Sequence, residues 1–189
     1  MMELVLTSAL VVFLLLFCCL FLFSLVIFAV HHRTGGAMFV PTPKVMVAKI
    51  MDSVDFSQFA DIRELGSGDG RFMTALEKRY GRPVTGYEVN PIAYAICRLK
   101  ILLFRLRSRV FYRSFWDVDL GEVDCTFCYL FPDIMPRIGE KLGRELKEGS
   151  LAISANFPIP GWKPEAVLRC EGTIFNDPIY LYRIGPHKG

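Results

Sequence analysis

Histidine is scarce in this chain of 189 residues, with three in all, and the six cysteines do not fall in paired spacings. Cys125 and Cys128 form one C-x-x-C inside an apolar run, without a second such pair or a nearby His. Neither a zinc site nor a disulfide framework is expected, and the pair reads as strand core. No internal repeat occurs, and low complexity is confined to one N-terminal stretch. At 52% hydrophobic and 22% charged residues, disorder, collagen and a disulfide miniprotein are excluded. Two further absences are local. No charged residue lies between Leu4 and Val30, and no acid between Val89 and Trp116.

The first gap is a run of Leu, Phe, Val, Ile and Cys. As a helix rising ~1.5 Å per residue it reaches about 40 Å, more than the ~30 Å hydrocarbon core. This predicts a single transmembrane helix and a lipid-bilayer partner; a Met-Met-Glu start and so long a run do not resemble a cleaved signal. Glu3 precedes the run and His31, His32 and Arg33 follow it, so the rest of the chain is expected on the cytosolic or organellar-interior face. The expected organisation is an anchor over 1–33, a linker and lead-in helix over 34–53, and one globular domain over 54–189.

The second gap is crowded with Arg98, Lys100, Arg105, Arg107, Arg109 and Arg113. Ile92, Ile96, Leu99, Leu103 and Leu106 recur at spacings of three and four, which predicts an amphipathic helix ending near Arg107. Its basic residues then form a solvated face, a contact with anionic headgroups, or a surface for an acidic partner. The net charge of +3 does not itself point to nucleic acid.

Gly35-Gly36 reads as a joint and Phe39-Val40-Pro41-Thr42-Pro43 as an extended lead-in to a helix over Lys44 to Ser53. Strands and helices then alternate: strand Asp61 to Leu65, helix Arg71 to Tyr80, strand Val84 to Val89, helix Pro91 to Arg107, and strands Arg109 to Tyr112 and Asp124 to Phe131. Helix Met135 to Leu146 follows, capped by Gly149, then strand Leu151 to Asn156. A hairpin of Val167 to Phe175 and Ile179 to Ile184, turned by Asn176-Asp177, ends the pattern. This α/β alternation predicts an open, mainly parallel sheet with helices on both faces and a ligand site at the carboxyl ends of the strands.

Glu64-Leu65-Gly66-Ser67-Gly68-Asp69-Gly70-Arg71 falls where the first strand meets its helix. Glycines at alternate positions let the backbone approach a ligand and present its N–H groups at a helix N-terminus. Glu88, at the end of the second strand, can accept hydrogen bonds from both hydroxyls of a ribose. A dinucleotide fingerprint would place a small residue at position 71; Arg71 stands there, which disfavours a nicotinamide cofactor.

The G-x-G-x-G preceded by an acid resembles motif I of the Rossmann-like class I S-adenosylmethionine-dependent methyltransferases. With Phe39 to Pro43, Gly86-Tyr87-Glu88-Val89-Asn90-Pro91, Arg109 to Tyr112 and Phe157-Pro158-Ile159-Pro160-Gly161-Trp162-Lys163-Pro164, nearly the whole chain resembles the small membrane-anchored lysine methyltransferases. These modify the adenine nucleotide translocase and the ATP synthase c-subunit. The resemblance implies a seven-stranded, mainly parallel sheet with a C-terminal antiparallel hairpin, S-adenosylmethionine as cofactor and a lysine of a membrane protein as acceptor. The cofactor residues it implies are Pro41, Thr42, Glu64, Gly66, Ser67, Gly68, Asp69, Gly70, Arg71, Glu88, Val89, Asn90 and Tyr129. After the third strand the family carries an acid directly after a Ser. Here Ser114 is followed by Phe115-Trp116-Asp117, so Asp117, shifted in register, or Trp116, stacking on the base, takes that place. Tyr129-Leu130-Phe131-Pro132-Asp133 stands where enzymes acting on nucleobase amines carry Asn/Asp-Pro-Pro-Tyr, so no nucleic-acid partner is expected. Phe131, Pro132, Phe157, Pro158 and Trp162 are expected to wall the acceptor channel, and Asp133 and Asp69 are the acids available to take a proton. A lipid or other membrane-dissolved acceptor and a non-catalytic cofactor-binding or partner-binding module remain the alternatives.

Overall fold

A computed structural model describes residues 8, 10–22, 24–25, 39–170 and 177–185. The chain forms two units, Met1–Met38 and Phe39–Gly189. In the first, residues 10–22 are helical and carry exposed apolar side chains such as Phe13, Leu16 and Leu20. Among the described residues no helix is long and apolar enough to cross a membrane. The remainder of the anchor expected over 1–33, and the Gly35-Gly36 joint, lie outside the described residues.

The second unit holds strands β1 (Ile62–Leu65), β2 (Thr85–Glu88), β3 (Arg109–Tyr112), β4 (Cys125–Cys128), β5 (Leu151–Ala155), β6 (Ala166–Arg169) and β7 (Pro178–Arg183). Its helices are α1 (Lys44–Ser53), α2 (Arg71–Tyr80), α3 (Pro91–Leu103) and α4 (Met135–Glu145). The sheet order is β3-β2-β1-β4-β5-β7-β6. β1 to β5 pair in parallel, and β7 runs antiparallel between β5 and β6. The order reverses beside β1, so the turns after β1, β2 and β4 meet at one edge, where doubly wound sheets bind ligands.

Side chains alternate across the sheet and build two cores. Under α1 and α2, Phe72 stacks on Phe127 with ring centroids 4.0 Å apart, and Phe56 meets Phe59, Phe72 and Tyr80 edge-on. Under α4, Leu65, Cys128, Ile138, Leu142, Ile159 and Tyr182 are buried together. Cys125 and Cys128 are thus core residues, and burial pushes the Cys128 thiol up to about 12. The lead-in helix α1, set apart from the domain by the sequence reading, is built into it: Met46 and Ile50 are fully buried. Buried Lys141 is satisfied by Glu145 and by the carbonyls of Val118 and Trp116, which holds the segment after β3 against α4.

Several boundaries differ from expectation. α3 stops at Leu103 because Arg105 turns left-handed, with φ 51°: its N–H donates to Leu102 and that of Leu106 to Ile101, a Schellman closure. β4 ends at Cys128, before Pro132 opens a short turn of 3-10 helix. Gly149 does not cap α4, which ends on an extended Leu146; with φ 83° it turns the chain into β5 and donates to Ile184. β6 is shorter than expected, and the hairpin connection over residues 171–176 lies outside the described residues.

The apolar stripe of α3 also faces the other way from an ordinary amphipathic helix. Its buried residues are Ala93 and Cys97, while Ile92, Ile96, Leu99 and Leu103 are exposed. The cause is close packing. A Cβ on Gly70 would lie 2.5 Å from Cys97 Sγ, so the helix must present a small side chain where it crosses the glycine turn.

Glu77 ties α2 to the chain entering β3. Its carboxylate accepts hydrogen bonds from the N–H groups of Arg107 and Ser108 and from Ser108 Oγ, at 2.6 to 2.8 Å. Burial works to raise its pKa, but these bonds outweigh it and hold the group below its ordinary 4.5. Its stabilising contribution is therefore complete above that value and is lost as pH falls through the lowered one. Glu77→Ala is expected to cost about 3 kcal/mol in urea unfolding at pH 7, and the deficit should narrow in acid. An unchanged midpoint at pH 7 would remove this tie from the account.

Candidate active site

The turn after β1 is shaped by three glycines with positive φ: Gly66 at 80°, Gly68 at 52° and Gly70 at 72°. Each lacks a Cβ where a neighbour stands. A Cβ at Gly66 would lie 3.0 Å from Leu130, one at Gly68 2.5 Å from the Phe39 ring, and one at Gly70 2.5 Å from Cys97 Sγ. The lead-in, the loop after β4 and α3 therefore all close on this turn.

Glu88 joins the turn to β2. One carboxylate oxygen accepts from Gly68 N–H at 2.7 Å, and the other from the N–H groups of Val89 and Asn90 at 2.9 and 2.7 Å. A carboxylate has about four acceptor positions, so capacity remains for a ligand hydroxyl. Asn90 caps α3, its side-chain oxygen accepting from Ile92 and Ala93.

Glu64 lies beneath the turn, fully enclosed. One oxygen is bonded by the Met73 N–H, and Oε2 has no partner; neither does the buried Ser67 Oγ. Burial drives the Glu64 carboxyl well above its ordinary range, the Met73 bond opposes this, and the like charges of Asp69 and Glu88 add to the rise.

Asp69, expected among the acids able to take a proton, is instead committed to structure. Arg71 Nε meets it at 3.0 Å and Lys100 Nζ at 2.6 Å. Burial opposes ionisation, but these hydrogen bonds prevail and hold its pKa below the ordinary carboxylate range. Arg71 also donates to the Thr42 carbonyl, so the lead-in, α2 and α3 are pinned by one cluster. Thr42 is buried there and Pro41 is exposed.

The segments expected to form the base pocket and the channel lie around the same edge. Trp116 sits in a short turn begun by Ser114 and carries the Arg137 guanidinium over its ring at 4.2 Å; Asp117 is exposed. Asp133, Phe131 and Pro132 are exposed after β4, and Pro158 is exposed after β5. Phe157 is half-buried, its carbonyl accepting from Ser154 Oγ. Trp162 packs on the bare face of α4 at Gly139 and Gly143 and meets Tyr182 edge-on. Tyr129 is partly buried, and burial, with the charge of Asp177 behind it, raises its phenol. The lock between Asp69 and Lys100, and Phe39 over Gly68, were not read from the sequence. They join residues far apart in the chain, and no local pattern marks them.

A glycine turn at the switch point, an acid at the end of the next strand and orphaned buried oxygens between them suit a nucleoside cofactor with hydroxyls to hydrogen-bond. The fold and site thus define a class I nucleoside-cofactor enzyme. The profile described as ANTKMT methyltransferase domain matches residues 64–166. A protein-lysine N-methyltransferase of Saccharolobus islandicus is 31% identical over 79% of this chain and 95% of its own length. The chain belongs to this methyltransferase family and is an S-adenosylmethionine-dependent methyltransferase.

The mouse adenine nucleotide translocase lysine N-methyltransferase is 34% identical over 64% of this chain, and the mouse lysine N-methyltransferase named for the ATP synthase c-subunit 28% over 80%. The chain spans 52% and 60% of those two proteins. An RNA methyltransferase of Salinibacter ruber, solved with S-adenosyl-L-homocysteine, superposes with a TM-score of 0.69 at 24% identity, covering 77% of this chain and 94% of that one. That likeness is of fold alone.

Two outcomes are expected. Glu88→Ala should weaken S-adenosylmethionine binding by about a hundredfold in calorimetry, the equivalent of two hydrogen bonds to a charged acceptor; binding within threefold of native would displace Glu88 from the site. Glu64, with its raised pKa, stabilises the fold at low pH and loses that contribution as pH rises. Without added cofactor, the Tm of the native protein should fall as pH rises above the ordinary carboxyl range, and that of Glu64→Gln should fall less over the same range. Parallel curves for the two would refute the assignment.

Proposed function

We propose that this chain methylates the ε-amine of a lysine on a membrane protein, and that the Leu4–Val30 run anchors it to the bilayer with the domain on the cytosolic or organellar-interior face. Membership of a family whose relatives are named protein-lysine N-methyltransferases carries the lysine reading. The uncharged run supports the anchor, since a tethered enzyme meets bilayer-embedded acceptors at a raised effective concentration.

S-adenosylmethionine, when bound, supplies an electrophilic methyl group on a sulfonium. The protein's part is to align an amine and to keep that amine neutral. A lysine of pKa ~10.4 is uncharged in on the order of one molecule in 10³ at pH 7. The apolar rim of Phe131, Pro132, Phe157 and Pro158 disfavours the ammonium form by excluding water. Asp133, exposed beside that rim, receives the proton. Asp69 is unavailable, since Arg71 and Lys100 occupy its oxygens. The clusters around Glu88 and Asp69 hold the turn rigid, so that alignment is maintained through the displacement.

The test is transfer of a labelled methyl group into membranes, with protein and lipid then separated. Label on lysine of a protein band, abolished by Glu88→Ala, is expected. Asp133→Asn should lower kcat about a hundredfold at pH 7 and recover part of it in alkali, where the amine is already neutral. Label in lipid, or cofactor binding with no labelled product, would overturn the lysine reading.

A further inference from the structure

The outward face of α3 has no part in the reaction described above. Ile92, Leu99, Leu102 and Leu103 are each more than half exposed, and Ile96 lies among them. At about 100° per residue, positions 92, 96, 99 and 103 fall on one line along the helix, opposite Cys97 and Ile101. A monomeric domain rarely leaves so continuous an apolar surface bare.

The charge around this face selects what covers it. Arg98 lies one turn before Leu102, at the margin of the exposed face, Arg105 closes its C-terminal end, and Arg109 lies on the neighbouring edge strand β3. All three are exposed and have no ion-pair partner among the described residues. No acid occurs from Val89 to Trp116 to oppose them. Arg105 holds a left-handed backbone, with φ 51°, where glycine is the unstrained choice, so the charge is kept at a conformational cost. An apolar stripe rimmed by arginine is the pattern of a helix lying in the surface of an anionic bilayer.

We infer that α3 docks the domain flat on an anionic lipid surface, with Ile92 to Leu103 entering the headgroup boundary and Arg98, Arg105 and Arg109 meeting phosphate and carboxylate groups. Since Asn90 caps the helix just after Glu88, docking sets the turn after β2 beside the membrane surface. The inference rests on the membrane reading above for the presence of a bilayer, and not on the identity of the acceptor.

Contact is read without methyl transfer, so the two readings fail separately. The full chain is placed in nanodiscs of phosphatidylcholine, with or without phosphatidylserine. A benzophenone amino acid replaces Leu99 or Leu103, or, as a control across the sheet, Glu140. Lipid adducts from positions 99 and 103, raised by phosphatidylserine and absent from position 140, are expected. Arg105→Gly relieves the backbone and removes only the charge; it should shift the docked-to-undocked ratio about fivefold towards undocked, with the circular dichroism spectrum unchanged. Adducts equal at the three positions, adducts indifferent to phosphatidylserine, or adducts to a second copy or another protein would each overturn the inference.

Discussion

Three side chains stand where three Cβ atoms would be. Leu130, Phe39 and Cys97 fill the spaces left by Gly66, Gly68 and Gly70, and each comes from a different part of the chain. The bare turn is the packing surface for the loop after β4, the lead-in and α3. Its backbone must bend left-handed at all three glycines, and that bend aims Gly68 N–H at Glu88. A side chain at any of the three would strain the backbone and displace a neighbour. The four-residue strands β1 and β2 thereby converge, with two helices, on one small site.

Within that site, three carboxyl groups lie close together with different surroundings. Asp69 meets two cations and keeps its charge; Glu64, fully buried with one N–H partner, resists ionisation. Like charges at this spacing cannot all be left bare, and Arg71 and Lys100 neutralise one while burial suppresses another. Glu88 is left as the acceptor at the ligand surface, its charge spread over three backbone N–H groups. The same cations fix the lead-in and α3, so electrostatic balance and rigidity come from one set of residues.

The order of elements, the sheet and the pairing of the glycine turn with Glu88 were legible because each is written locally, in alternation, in turn residues and in the fall of an acid at a strand end. What depends on distant partners was not. Asp69 beside the glycines reads as a catalytic acid until Lys100, thirty-one residues on, is found against it. Trp162 among prolines reads as a channel wall, and the glycines that receive it are on α4. Periodicity located the stripe of α3 without saying which side faces the core; the Gly70 contact decides that, and periodicity carries no information about Gly70.

That contact also explains how α3 is held. A helix whose fully buried residues are only Ala93 and Cys97, with Tyr94 and Ile101 partly buried beside them, gains modestly from burial, at ~25 cal/mol per Å² of apolar surface. Its other restraints include the Asn90 cap, the Schellman closure at Arg105, the pair of Lys100 with Asp69, and the ring contact of Tyr94 with Tyr112 on β3. Ile92, Leu99, Leu102 and Leu103 remain more than half exposed, so covering them would add apolar burial to this helix. A surface that covers α3 would therefore tighten the helix that positions Lys100 against the glycine turn. Attachment and the rigidity of the site are coupled through a single element, because the helix that carries the exposed stripe also carries the Lys100 that holds Asp69 at the glycine turn.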